Sequence, residues 1–233
     1  MKQFRARGGP FAERPYYSLD EIDRICMEEL QAVGLYPAEP SPIRIERFIE
    51  KRFKITPTYE DLDPQVLGYT RFGPNGVEAI VVSRALAEDA AAAAARRLSA
   101  TLAHEAGHAL LHAHLFLLEG AASLFDNAAE PSKILCRDGN VAGAADRRAY
   151  DGRWWEFQAN RVIGGILLPR ALVFRCIAGL AEPAGGLGVP VLADMKREEA
   201  ARRLVAQFEV NPVVARIRLD DLYPADEAAQ LTL

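Results

Sequence analysis
The chain has 233 residues, 50% of them hydrophobic and 26% charged, an ordinary globular composition with length for one large domain or two small ones. A net charge of -4 and a pI near 5.7 imply no general polyanion-binding surface. No segment approaches the roughly 20 apolar residues that span a bilayer, and basic Met1–Arg7 is followed by Gly8-Gly9-Pro10 where a signal peptide needs an apolar run. The three cysteines, Cys26, Cys136 and Cys176, are scattered and form no Cys-x-x-Cys pair. A cytoplasmic protein without membrane contact is expected.

Residues 1–17, rich in Gly and Pro with basic residues, are expected to form a flexible lead-in. Ser18-Leu19-Asp20-Glu21 reads as a capping box that opens a helix, with Leu19, Ile22, Cys26, Leu30 and Val33 on one face and Gly34 as its stop. Ser41-Pro42 repeats a start signal for a helix that buries Ile45, Phe48 and Ile49. The period then changes. Phe53–Tyr59, Val66–Phe72 and Val77–Ser83 read as strands, the last two joined as a hairpin by Gly73-Pro74-Asn75-Gly76. The alanine run Ala90–Ala95 leads into one long helix across Arg96–His114. Residues 117–152 are irregular, with one short strand near Ile134-Leu135-Cys136. Helix returns from Trp154 to Leu168, ended by Pro169, and two further helices follow at about 194–208 and 212–219. The order predicts an α+β fold, a small, mainly antiparallel sheet leaning on the long helix.

All four histidines fall between positions 104 and 114, within His104-Glu105-Ala106-Gly107-His108 and the six residues after it. One helical turn, about 6 Å, separates His104 from His108, so two imidazoles on one face can meet one zinc at about 2.0–2.1 Å. Glu105 lies roughly 100° around the helix. From there it can reach a water acidified by the metal, remove its proton as it attacks a carbonyl, and carry that proton to the leaving amine. Apolar neighbours on both sides (Leu98, Leu102, Ala103, then Ala109, Leu110, Leu111) predict a buried helix, whose ionisable face needs a charge to pair with.

A third protein ligand is required, leaving the fourth position for water. His112 sits a further turn along the axis, too far to share the metal; a place near the cleft or simple exposure is expected for it. His114 has the metzincin spacing, but that motif needs a turning Gly where this chain has Leu111. Glu156, in Trp154-Trp155-Glu156-Phe157-Gln158-Ala159-Asn160, is the preferred ligand. The small residues Ala159, Gly164 and Gly165 would let its helix approach the first, and Asn160, one turn on, could hold a histidine's second ring nitrogen.

The run His104-Glu105-Ala106-Gly107-His108-Ala109-Leu110-Leu111-His112, then Glu156-x-x-Ala159-Asn160 and Leu167-Leu168-Pro169, resembles the ImmA/IrrE family of bacterial metallopeptidases, over roughly residues 40 to 222. The resemblance implies a zincin-like domain over 18–190, ligands His104, His108 and Glu156, Glu105 as catalytic acid/base, and zinc, with manganese also admissible. It implies cleavage of an XRE-type helix-turn-helix repressor, relieving repression under stress. The stretch 117–152 is longer than in such proteins and is expected to cover the cleft or bind a regulator. In zincin-like folds an exposed edge strand pairs with extended substrate, and Val77–Ser83 is the strand expected to do so.

The competing reading is a DNA- or protein-binding regulator that keeps a metal site without peptidase activity. Residues 191–233 form a helical region in which 200–208 and 212–219 have a helix-turn-helix outline, with Arg202, Arg203, Arg216 and Arg218 available for phosphates. Asp220-Asp221 and the acidic balance argue for a pair that packs on the core or docks the substrate repressor instead, so direct nucleic-acid binding is not expected.

Overall fold
A computed structural model of the protein describes residues 2–5, 13–123, 132–137, 153–184 and 189–224. Its first element is not a loose lead-in. Strand β1 (Lys2–Arg5) pairs antiparallel with β2 (Glu13–Tyr16), with Gln3 opposite Pro15. Helix α1 (Leu19–Ala32) starts at the expected capping box: the Glu21 N–H donates to Ser18 Oγ at 3.2 Å and the Ser18 N–H to Glu21 Oε2 at 2.8 Å. Gly34 follows with φ 66°.

Helix α2 (Ile45–Phe53) begins later than Ser41-Pro42 suggests, because the Ser41 hydroxyl donates back to the Glu39 carbonyl and caps no helix. It also takes Phe53 from the expected strand. Phe53 meets the Phe48 ring edge-on at 6.1 Å, and Lys54 turns the chain at φ 62°. Only Thr58–Glu60 remain as β3.

Strands β4 (Val66–Gly73) and β5 (Gly76–Ser83) form the expected hairpin, closed where Gly76 takes φ 108°, a conformation only glycine adopts cheaply. With β6 (Ser132–Arg137) they make a sheet ordered β3-β5-β4-β6, antiparallel except for the β3–β5 pair. This corrects one expectation. Val77–Ser83 is an interior strand, paired with β4 on one side and over Val81–Ser83 with β3 on the other. Among the described residues the outer strands are β3 and β6.

After the short α3 (Arg84–Glu88), helix α4 (Ala92–Ser123) runs between the β4–β5 face and helix α5 (Trp154–Leu167). Every residue from Ala100 to Ala109 is buried, as a helix covered on opposite sides must be. Residues 124–131 and 138–152, most of the expected excursion, lie outside the described residues. The chain continues through α6 (Arg170–Cys176), a small β7–β8 pair (Glu182–Ala184, Val189–Val191), α7 (Asp194–Phe208) and α8 (Pro212–Leu222). Asn211 caps α8, accepting from the Val213 N–H at 2.9 Å, with Pro212 in the first turn. No helix among the described residues is long and apolar enough to cross a membrane.

The C-terminal arginines serve the fold. Arg218 is fully buried, donates to the Leu168 carbonyl at 3.0 Å and faces Asp23 at 2.7 Å. Arg170 holds the other Asp23 oxygen at 2.8 Å, so α1, α6 and α8 share one charge cluster. Arg216 grips Glu198 through two nitrogens, and Arg203 pairs with Glu199. Leu204, Phe208, Val214 and Leu219 are buried, so the α7–α8 pair packs on the core.

Candidate metal centre
Helix α4 can bring its histidines against α5 because Gly107 stands at the crossing. A Cβ there would lie 3.0 Å from both Ala159 Cα and Val162 Cβ and 3.1 Å from the Ala159 carbonyl oxygen, so the helices can come this close only because position 107 has no side chain. Gly164 and Gly165, expected to serve the same contact, have other neighbours. Gly164 leaves room for Arg218 of α8, 3.1 Å from a built Cβ, and Gly165 for Cys26 of α1, 2.7 Å away. Ala159 is thus the expected small residue that acts at this crossing, and its partner is the Gly inside the histidine motif.

Glu156 begins α5 one turn before Asn160 and reaches the histidine pair from there. His104 Nε2 and His108 Nε2 are 3.0 Å apart, Glu156 Oε2 lies 3.2 Å from the first, and Glu156 Oε1 lies 3.6 Å from the second. Four donors around a zinc at 2.0–2.1 Å define tetrahedral edges of about 3.3 Å. The three separations bracket that value. His104, His108 and Glu156 form a buried group that could hold a metal ion. His112 and His114 are not part of it.

Asn160 acts where expected: its Oδ1 lies 3.0 Å from His104 Nδ1. An amide oxygen only accepts, so Nδ1 carries the ring proton and Nε2 turns a lone pair to the group. Two imidazole nitrogens and a carboxylate buried within 3.6 Å of one another call for a cation.

Glu105 is fully buried on the sheet side of α4, outside the ligand group. Its Oε2 is 2.6 Å from Thr70 Oγ1 on β4, and the same hydroxyl lies 3.1 Å from the Glu105 carbonyl oxygen. Gly68, two residues earlier on β4, lets the strand come close: a Cβ there would lie 2.8 Å from the Val81 carbonyl oxygen on β5 and 3.2 Å from Thr101 Cγ2 on α4. Thr70 was not legible in the sequence, because only the sheet register brings a β4 hydroxyl to a helix 35 residues away.

Of the two places expected for His112, near the cleft or exposed, exposure is ruled out. The residue is fully buried, with its Nδ1 3.1 Å from His108 Nδ1 and its Nε2 3.0 Å from Gln158 Oε1. Trp154 stands edge-on to it at 5.5 Å. The spacing His108–His112, one turn, was the available signal for this contact, and Gln158 carried none. Arg161 of α5 is held by Asp221 and stacks on Phe157.

Burial pushes His108 well below the usual histidine range and His112 down to about 3. An unfolded His112 would titrate near 6.5. Between those values the unfolded chain binds a proton that the folded chain refuses, so stability falls as pH drops. Metal-free protein should lose about 1 kcal/mol per pH unit from His112 alone below pH 6.5, read from urea melts between pH 7 and pH 4.5. A flat profile would show that this ring is protonated in place.

No family model matches this chain and no curated protein is significantly similar to it.

Proposed function
We propose that this protein is a zinc-dependent endopeptidase that makes a site-specific cut in a helix-turn-helix transcriptional repressor. One observation carries the reaction: a buried His104–His108–Glu156 group with a second carboxylate, Glu105, on the helix of the two histidines but outside the ligand set. Three protein ligands leave a position for water, whereas a structural zinc site usually closes it. The cation would supply Lewis acidity and lower the pKa of a bound water to about 7.

The chain's own residues then divide the remaining work. Asn160 orients His104. Thr70 holds the Glu105 carboxyl by its hydroxyl, and Glu105 takes the proton of the attacking water and hands it to the leaving amine. An extended substrate would pair with the outer edge of β6, the strand beyond Thr70 in the sheet, where Ile134 sits opposite Thr70. The repressor as substrate, and a role in stress-responsive regulation, are supported by the resemblance of the two ligand motifs to the ImmA/IrrE family. Manganese accepts the same donors.

Of the four arginines the competing DNA-binding reading needs, Arg218 is buried, while Arg203 and Arg216 form surface pairs with glutamates and Arg202 is exposed, donating to the Glu198 carbonyl. The metal part is tested by thermal melts of chelated protein. Zinc at a hundredfold excess over its dissociation constant should add about 3 kcal/mol of stability, and Glu156→Ala should remove that response. Wild type that melts identically with and without zinc would end the metal reading.

A further inference from the structure
The histidine pair is tied to the start of the chain through two side chains the reaction does not use. From the ligand His108, the path runs by His108 Nδ1 to His112 Nδ1 (3.1 Å), by His112 Nε2 to Gln158 Oε1 (3.0 Å), and by Gln158 Nε2 to the Pro15 carbonyl on β2 (2.7 Å). His108, His112, Gln158 and Pro15 are all buried.

The direction of every proton on this path follows from its far end. A carbonyl oxygen only accepts, so Gln158 must turn its NH₂ to Pro15 and its oxygen to His112. His112 Nε2 must then be the donor. With its one ring proton there, His112 Nδ1 is an acceptor, and the nitrogen facing it, His108 Nδ1, must donate. That leaves His108 Nε2 with a lone pair, the form in which it lies 3.0 Å from His104 Nε2 and 3.6 Å from Glu156 Oε1. A backbone oxygen 143 residues before Gln158 thus selects the tautomer of a metal ligand. Asn160 does the same for His104 within one helix pair, and needs no such distant anchor.

We propose that His112 and Gln158 are positioning residues that hold His108 in its metal-binding tautomer, and that docking of the N-terminal β1–β2 hairpin through the Pro15 carbonyl is thereby coupled to metal affinity. The inference rests on the metal reading above. Coupling of this kind is reciprocal: a hairpin that strengthens metal binding is itself held more firmly when metal is bound. A partner that peeled β2 away would loosen the metal.

The test uses the full-length protein and zinc alone. Zinc affinity is measured by competition with a chromogenic chelator, and amide exchange is followed in Lys2–Arg5 and Glu13–Tyr16 with and without zinc. His112→Phe and Gln158→Met should each weaken zinc about 10- to 100-fold, and the double variant should be no weaker than His112→Phe, since both interrupt one path. His112→Gln, whose amide can accept from His108 and donate to Gln158, should stay within a few-fold of wild type. This rescue guards against misfolding of the Phe variant. Zinc should slow exchange in the hairpin of wild type, and at saturating zinc should leave it unchanged in Gln158→Met. If wild type binds zinc and His104→Ala abolishes binding, yet His112→Phe and Gln158→Met bind as tightly as wild type, the coupling is wrong and the metal reading survives. If wild type binds no zinc, both are wrong.

Discussion

Glu105→Gln is expected to slow repressor cleavage by about 100- to 10,000-fold, the usual contribution of a positioned acid/base, with zinc affinity unchanged. The two halves of this expectation come from different geometry. Glu105 lies outside the group formed by His104, His108 and Glu156, so removing its charge leaves all three ligand atoms in place. The amide also keeps the size of the carboxyl and can still accept from the Thr70 hydroxyl, now 2.6 Å from Oε2. Only proton acceptance is lost. Wild type and variant, each loaded with zinc, would be incubated with a helix-turn-helix repressor and the products weighed intact. Equal cleavage by both proteins would remove the peptidase assignment. A variant that also loses zinc would mean that Glu105 is a ligand, contrary to its position here.

Arg218→Ala should destabilise the fold by about 3 kcal/mol, at the lower end of the 3–5 kcal/mol expected when one partner of a buried pair is removed. The lower end applies because Asp23 keeps its second partner, Arg170, at 2.8 Å. The change also strands the Leu168 carbonyl that Arg218 Nε serves at 3.0 Å, and it opens space beside Gly164. In a chain of this length the melting temperature should fall by about 10 °C. The double replacement Arg218→Met with Asp23→Leu should recover much of the loss, because a well-packed apolar pair avoids burying charge. A single variant that melts with wild type would show that the cluster contributes specificity of packing and little stability. The same residue bears on DNA binding: a guanidinium with 0% exposure cannot meet a phosphate unless α8 leaves the core.

Much of this architecture was legible because its signals are local. The Ser18–Glu21 capping box, the Asn211-Pro212 start and the alanine run before the motif each act within a turn or two of helix, and α1, α8 and α4 form there. The spacing of His104, Glu105 and His108 sets their directions from one helix by geometry alone. Where two local signals competed, the reading failed: Phe53 has a strand former's side chain, but its ring found Phe48 on the preceding turn and stayed helical.

The sequence by itself determined helices α1, α4, α5, α7 and α8, the β4–β5 hairpin and which side chains could be brought to a metal. Tertiary structure decided how close they come and what holds them. The Gly107–Ala159 contact sets the distance of Glu156 from the histidines, the β4 register delivers Thr70 to Glu105, and the N-terminal hairpin supplies the oxygen that orients Gln158 and His112. The physical reason is the same in each case. A helix or turn is specified by neighbours a few residues away, whereas a buried polar atom takes whatever partner the packing of distant segments provides.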